Sequence, residues 1–209
     1  GRLMCGMLAY SGNELRTGHF EKAFNTVALR GPDYSVLTRI NESAVLGFHR
    51  LAIMDTSEAG NQPFRIERSA AVCNGEIYNH KKLALKHGLT MSTGSDCEVI
   101  LPLYLKLGLA KLCQELDGVF SFSIVEGDTL HFGRDPIGIR PLFIGERYDS
   151  AGKREVMVCS EVKGIPNHFE NVRPVPPGHY GTFNQNSGRL TMNAYYDYNY
   201  PELTDISES

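Results

Sequence analysis

Val119–Gly127 reads VFSFSIVEG, and Thr129–Gly133 reads TLHFG, with only Asp128 between them. Three more strand-like runs follow: PLFIG (Pro141–Gly145), EVMVCS (Glu155–Ser160) and HYGTF (His179–Phe183). Gly, Asp and Asn turns separate them, so hairpins dominate this half of the chain. Upstream, Met4–Tyr10 reads as a short strand turned by Ser11-Gly12-Asn13. Ser35–Ile40 and Ser43–Leu51 read as paired strands, and Ala70–Cys73 as a short apolar one. Phe20, Ala23, Phe24 and Val27 have the spacing of an amphipathic helix, ended by Arg30-Gly31-Pro32-Asp33 because proline disfavours helix at the residue before it. Asn79–His87 predicts a helix stopped by Gly88. Ser95 and Glu98 have the S-x-x-E spacing of a capping box. The run after it, Val99–Leu107, is apolar on nearly all sides and predicts a buried helix with Pro102 in its first turns. About three helices among eight or more strands predict an α+β fold, antiparallel sheets with helices packed on them.

The bulk composition narrows the function. The chain has 209 residues, 42% hydrophobic and 22% charged, which suits one substantial domain with a real core. A net charge of -3 without a basic run argues against nucleic acid as the main partner. No apolar stretch is long enough to span a membrane. Five cysteines without a C-x-x-C pair point to reduced thiols in a cytoplasmic setting, not to a disulfide framework or a zinc site.

Four stretches have the residue types for chemistry, and each also has a structural reading. Cys5, if Met4 were an initiator and removed, would carry a thiol and a free α-amino group on one carbon. That amine has a reference pKa of about 7.7–8.0 and can serve as the base. The structural alternative is a buried strand cysteine. Asn74-Gly75 offers a side-chain amide and a backbone N–H for an oxyanion, or else a tight Asn-Gly hairpin turn. Arg50 in GFHRLAI can grip a carboxylate with two parallel hydrogen bonds, or hold a structural ion pair. Arg30 and Asp33 of RGPD read as a braced turn. Asp96 can pair with a ligand ammonium, or simply favour the positive end of the helix that follows. A nucleophile, an oxyanion hole, a carboxylate grip and an ammonium grip together suit an α-amino acid with an acyl group at the end of its side chain. Glutamine has that shape.

MCGMLAY, RGPD, GFHRLAIMD, AGNQPF, CNGEIYNH, TGSDCEVI, LDGVFSFSI, GRDPIGIRPLF and PPGHY occur in this order between Met4 and Tyr180, in a resemblance that runs to about Tyr200. The set resembles class II glutamine amidotransferase domains. NGEIYNH and GSDCEVI resemble the glutaminase domains of glutamine-hydrolysing asparagine synthetases, rather than the phosphoribosylpyrophosphate amidotransferase branch. The resemblance implies an N-terminal-nucleophile hydrolase fold, an αββα sandwich of two antiparallel sheets between helical layers. It implies that Cys5 attacks the glutamine amide and that a glutamyl thioester is hydrolysed to glutamate. Asn74 and Gly75 would form the oxyanion hole, Arg50 would hold the carboxylate and Asp96 the amino group. Glu76 and the backbone around Leu51 and Ile53 would line the pocket. Cys73, Cys97, Cys113 and Cys159 are expected to be buried and receive no role. No cofactor or metal is implied. The partners would be glutamine and a synthetase domain or subunit that accepts ammonia, with asparagine the first candidate product; nucleic acid and membrane are not expected, and a homodimer is left open.

Gly1–Leu3 read as a cloning remnant or a propeptide, residues 4–200 as the glutaminase domain, and 201–209 as a polar tail or the start of a linker. The chain lacks the Ser-Gly-Gly-x-Asp-Ser pyrophosphate loop of the synthetase half, so it is not expected to make asparagine alone. While residues precede Cys5 its nitrogen is an amide, and the chain as written is expected to be inactive or nearly so. Two other readings compete: a non-catalytic glutamine-binding or regulatory relative, and another N-terminal-nucleophile amidase.

Overall fold

Gly118–Glu126 and Thr129–Arg134 form the anticipated hairpin, with Glu126 paired to Thr129 and Gly127 at a φ of 56° in the turn. The computed structural model describes residues 6–13, 34–49 and 62–196. In chain order the strands are β1 (Gly6–Ser11), β2 (Tyr34–Arg39), β3 (Ala44–His49), β4 (Phe64–Ile66), β5 (Ser69–Ile77), β6 (Gly118–Glu126) and β7 (Thr129–Arg134). They continue as β8 (Phe143–Tyr148), β9 (Arg154–Cys159), β10 (Glu170–Pro174), β11 (His179–Asn184) and β12 (Arg189–Ala194). The helices described are α1 (His80–His87), α2 (Ile100–Leu107) and α3 (Leu109–Glu115).

The strands form two six-stranded sheets, ordered β12-β11-β7-β6-β5-β4 and β10-β8-β9-β1-β3-β2, and every pairing is antiparallel. Side-chain alternation along β5 shows how the layers stack. Ala70 and Val72 face the other sheet and pack with Met7, Leu46, Phe48 and Phe132. Ala71, Cys73 and Ile77 face outward onto Leu83 of α1, Ile100 and Leu103 of α2 and Leu112 of α3. A strand apolar on both faces is the pattern of a layer covered on both sides. The architecture is the expected αββα sandwich of two antiparallel sheets. The outer face of the second sheet packs Leu8, Tyr10 and Met157 against Ile165 and Phe169. The helix expected over Phe20–Val27 and the RGPD turn lie outside the described residues. No helix among the described residues is long and apolar enough to cross a membrane.

Local expectations are met or corrected for identifiable reasons. α1 stops at Gly88, whose φ of 64° and N–H bonds to the Ala84 and Leu85 carbonyls close the last turn. The capping box does not form: Ser95 makes no side-chain cap. Glu98 instead accepts hydrogen bonds from the backbone N–H groups of Ser92 and Thr93, each at 2.8 Å, and from both hydroxyls. Burial pushes its carboxyl up, but these four donors outweigh burial and hold it below the usual range. Leu105 of α2 is exposed, so that helix is less enclosed than its sequence suggests. α3 was not anticipated.

One half-buried polar chain predicts a pH response. The Tyr104 hydroxyl of α2 lies 2.8 Å from His131 Nε2 and donates to Glu126 Oε1, while His131 Nδ1 lies 2.9 Å from Thr182 Oγ1. Burial, opposed only by Glu126, pulls the His131 imidazole down to about 4. The unfolded chain, with an ordinary histidine, therefore binds more protons between about pH 6.5 and 4. This contribution is fully present above that window and is lost as pH falls through it. Urea midpoints at pH 7.5 and pH 5 are expected to show a loss of about 1–2 kcal/mol that His131→Gln largely removes. An equal loss in the variant would assign the effect elsewhere.

Candidate active site

The site grows from one edge of β5. Asn74-Gly75 is not a hairpin turn; both residues continue the strand, with Asn74 opposite Ser121 and Gly75 opposite Phe120. Phe120 donates its N–H to Asp135 Oδ1 at 2.9 Å and accepts from the Asp135 N–H at 3.0 Å, so its backbone groups face β7. Gly75 and Phe120 are thus a non-hydrogen-bonded pair, and the Gly75 N–H and C=O turn away from β6. On that far side β4 extends only to Phe64, opposite Ala71.

Side chains take over where β4 ends. Gln62 Oε1 accepts from the Cys73 N–H at 2.8 Å, and Gln62 Nε2 donates to the Cys73 carbonyl at 3.2 Å. The Cys97 thiol reaches the Gly75 carbonyl at 3.7 Å. Asp96 Oδ2 accepts from the Ile77 N–H at 2.6 Å. Of the N–H groups on this edge from Cys73 to Ile77, only that of Gly75 has no acceptor among the described residues. Gly75 itself sits at a φ of 140°, and a Cβ there would overlap the Val119 carbonyl and lie 2.7 Å from the Phe120 Cα. Only glycine fits.

Asn74 is 2% exposed, and neither atom of its amide has a partner among the described residues. A buried amide in that state is rare, because leaving its groups unpaired costs about 1–3 kcal/mol each. By strand alternation it shares the inner face with Ala70 and Val72, toward β1 and β3 of the other sheet. Those two strands pair Gly6 with His49. In the sequence Cys5 immediately precedes Gly6 and Arg50 immediately follows His49. Cys5, Arg50, Leu51 and Ile53 themselves lie outside the described residues. Glu76 is exposed, and Asp96 is half-buried.

Cys73, Cys97, Cys113 and Cys159 are free and buried, as expected. A hydrogen bond with Cys73 and burial push the Cys97 thiol well up; burial does the same to Cys113 and takes Cys159 up to about 12. Thiols held protonated are poor nucleophiles. Among the described residues no three His, Cys, Asp or Glu side chains cluster as a metal site would require. Gln62 is the site residue that sequence reasoning missed; its only signal is a polar residue just ahead of a strand in AGNQPF.

The family model described as a glutamine amidotransferase domain matches residues 4–171. A probable glutamine-hydrolysing asparagine synthetase of Acanthamoeba polyphaga mimivirus is 38% identical over 188 residues, covering 86% of this chain and 34% of that protein. The glutamine-hydrolysing asparagine synthetase of Bos taurus is 37% identical over 190 residues, covering 85% of this chain and 33% of its own length. The chain thus spans about a third of the curated relatives it matches. Among solved structures, the glutamine phosphoribosylpyrophosphate amidotransferase from B. subtilis superposes with a TM-score of 0.68 at 20% identity, covering 92% of this chain and 49% of that one. A structure titled as the allosteric regulatory enzyme of purine biosynthesis gives 0.69 at the same identity and coverage. These two likenesses show the shared fold.

Proposed function

The chain belongs to the glutamine amidotransferase domain family, and from that premise we propose that it releases ammonia from the side-chain amide of glutamine through a thioester on Cys5. The observation that carries this reading is the buried Asn74 amide, without a partner among the described residues, next to the Gly75 N–H on the outer edge of β5. Two donors without acceptors in a buried strand suit a negative charge that appears only during reaction.

The chemistry follows from the residue types. The free α-amino group of Cys5 takes the thiol proton, and the thiolate attacks the amide carbon of glutamine. The oxygen becomes an oxyanion and receives hydrogen bonds from Asn74 Nδ2 and the Gly75 N–H. Collapse expels ammonia, which takes the proton back from the amino group, and leaves a glutamyl thioester. Water adds to the thioester, the same donors hold the second oxyanion, and glutamate leaves with the thiol restored. Arg50 grips the α-carboxylate and Asp96 the α-ammonium, with Glu76 and the backbone at Leu51 and Ile53 lining the pocket. The ammonia serves an amidation by a synthetase domain or subunit. Asparagine formation is the favoured one, because the curated relatives named above are asparagine synthetases that extend well beyond the matched region.

Glutamate release tests this. A protein beginning at Cys5 is expected to yield glutamate and ammonia in equal amounts from free glutamine and to ignore N-acetylglutamine. Equal rates on both substrates would point to a broader amidase. Asp96→Asn keeps an acceptor for the Ile77 N–H but removes the charge. It is expected to raise KM about 10–100-fold, with kcat affected far less. A fall in kcat at unchanged KM would remove Asp96 from the ammonium grip.

A further inference from the structure

Gln62 stands outside every strand, yet it is 6% exposed and both polar atoms of its side chain are engaged on β5. Its position is informative. β4 pairs Phe64 with Ala71, so the same register continued by two residues sets position 62 against Cys73. Gln62 occupies that position, but it meets Cys73 with its side-chain amide instead of its backbone. A primary amide carries the same donor and acceptor as a peptide group, so it supplies both bonds a neighbouring strand would make.

The substitution has a consequence for the next residue on this edge. A backbone ladder continued in register would reach Gly75 two residues further on and take up its N–H. The side-chain clamp holds Cys73 and stops there. The Gly75 carbonyl is held separately by the Cys97 thiol, and the Ile77 N–H by Asp96. The peptide that precedes Asn74 is therefore fixed on its outer edge while the Gly75 N–H stays available.

We propose that Gln62 is a positioning residue for the oxyanion hole, orienting Asn74 and the Gly75 N–H through its two hydrogen bonds to Cys73; this rests on the glutaminase reading above. Gln62 need not touch glutamine. It acts through the backbone, and donors that are already oriented stabilise a developing oxyanion better than donors that must reorganise.

The test uses protein beginning at Cys5. Gln62→Met has similar length and neither hydrogen bond. It is expected to lower kcat about 10–100-fold, a fraction of what losing an oxyanion donor outright removes, with KM for glutamine within about threefold. Binding of glutamate γ-semialdehyde, whose thiohemiacetal places an oxygen in the same hole, is expected to weaken by the same factor as kcat. Binding of the product glutamate is expected to stay unchanged. Gln62→Glu restores both bonds only when its carboxyl is protonated, so its kcat relative to wild type is expected to recover as pH is lowered. Should Gln62→Met not fold, the Gln62→Glu ratio decides alone. The proposal is overturned if kcat of Gln62→Met stays within twofold of wild type. It is overturned equally if kcat, semialdehyde affinity and glutamate affinity all fall together, or if the Gln62→Glu ratio is flat with pH. Wild-type protein inactive on glutamine would instead sink the glutaminase reading, and the proposal with it.

Discussion

Asn74→Ala is expected to cut kcat for glutamine hydrolysis by about 10²–10³-fold while leaving the folded protein as stable as before, or slightly more so. The two halves of this expectation have the same origin. Asn74 is buried on the inner face of β5 with no partner for its amide among the described residues. Deleting a buried polar side chain usually destabilises because it orphans the group at the other end of a hydrogen bond. Among the described residues there is no such group to orphan, and an unsatisfied amide leaves the core. In the proposed mechanism the same amide is the donor to the oxyanion, so the rate is expected to suffer where stability does not. Thermal unfolding and steady-state kinetics on the same preparation decide the matter. A variant that loses several degrees in Tm and little in kcat would show that Asn74 is a structural asparagine.

The second large effect is expected at Cys5. Any residue left on its nitrogen turns the amine into an amide, which is neither basic nor able to return a proton to the leaving ammonia. General base catalysis is worth about 10²–10⁴-fold, and protein that retains Gly1–Met4 is expected to lose a factor in that range or more. Cys5→Ala is expected to abolish turnover but to keep glutamine binding, because Arg50, Asp96 and Asn74 remain. Normal turnover in protein whose intact mass includes Gly1 would exclude the α-amino group as the base.

Most strands were readable from the sequence because their signals are local: β6 and β7 are apolar runs separated by Gly127-Asp128, and α1 ends at a glycine; β4, β10 and β12, short or largely exposed, were not anticipated. α3 escaped because LAKLCQE is only two turns long and starts directly after Gly108, the residue that ends α2. The S-x-x-E pattern misled because Glu98 found better donors behind it, in Ser92 and Thr93, than a cap could offer. Asn74-Gly75 was ambiguous for a deeper reason. The dipeptide has the local propensity of a turn, and only pairing with β6, distant in sequence, keeps it extended. The residue types of the site were legible as a set that fits glutamine. What distinguishes Asn74 from an ordinary buried asparagine, the lack of a partner among the described residues, exists only once the chain is folded. Gln62 was invisible in the same way, since nothing in NQPF says that a side chain will stand in for a strand.

The central claim is that Cys5 carries an acyl group on the way to glutamate. It is tested most directly by acid-quenching protein that begins at Cys5 during turnover of glutamine and weighing the peptide that contains Cys5. A fraction of that peptide is expected to be heavier by one glutamyl group, lost on mild alkali and absent from Cys5→Ala. Steady turnover with no acylated peptide at any quench time, in a protein that releases glutamate normally, would contradict it.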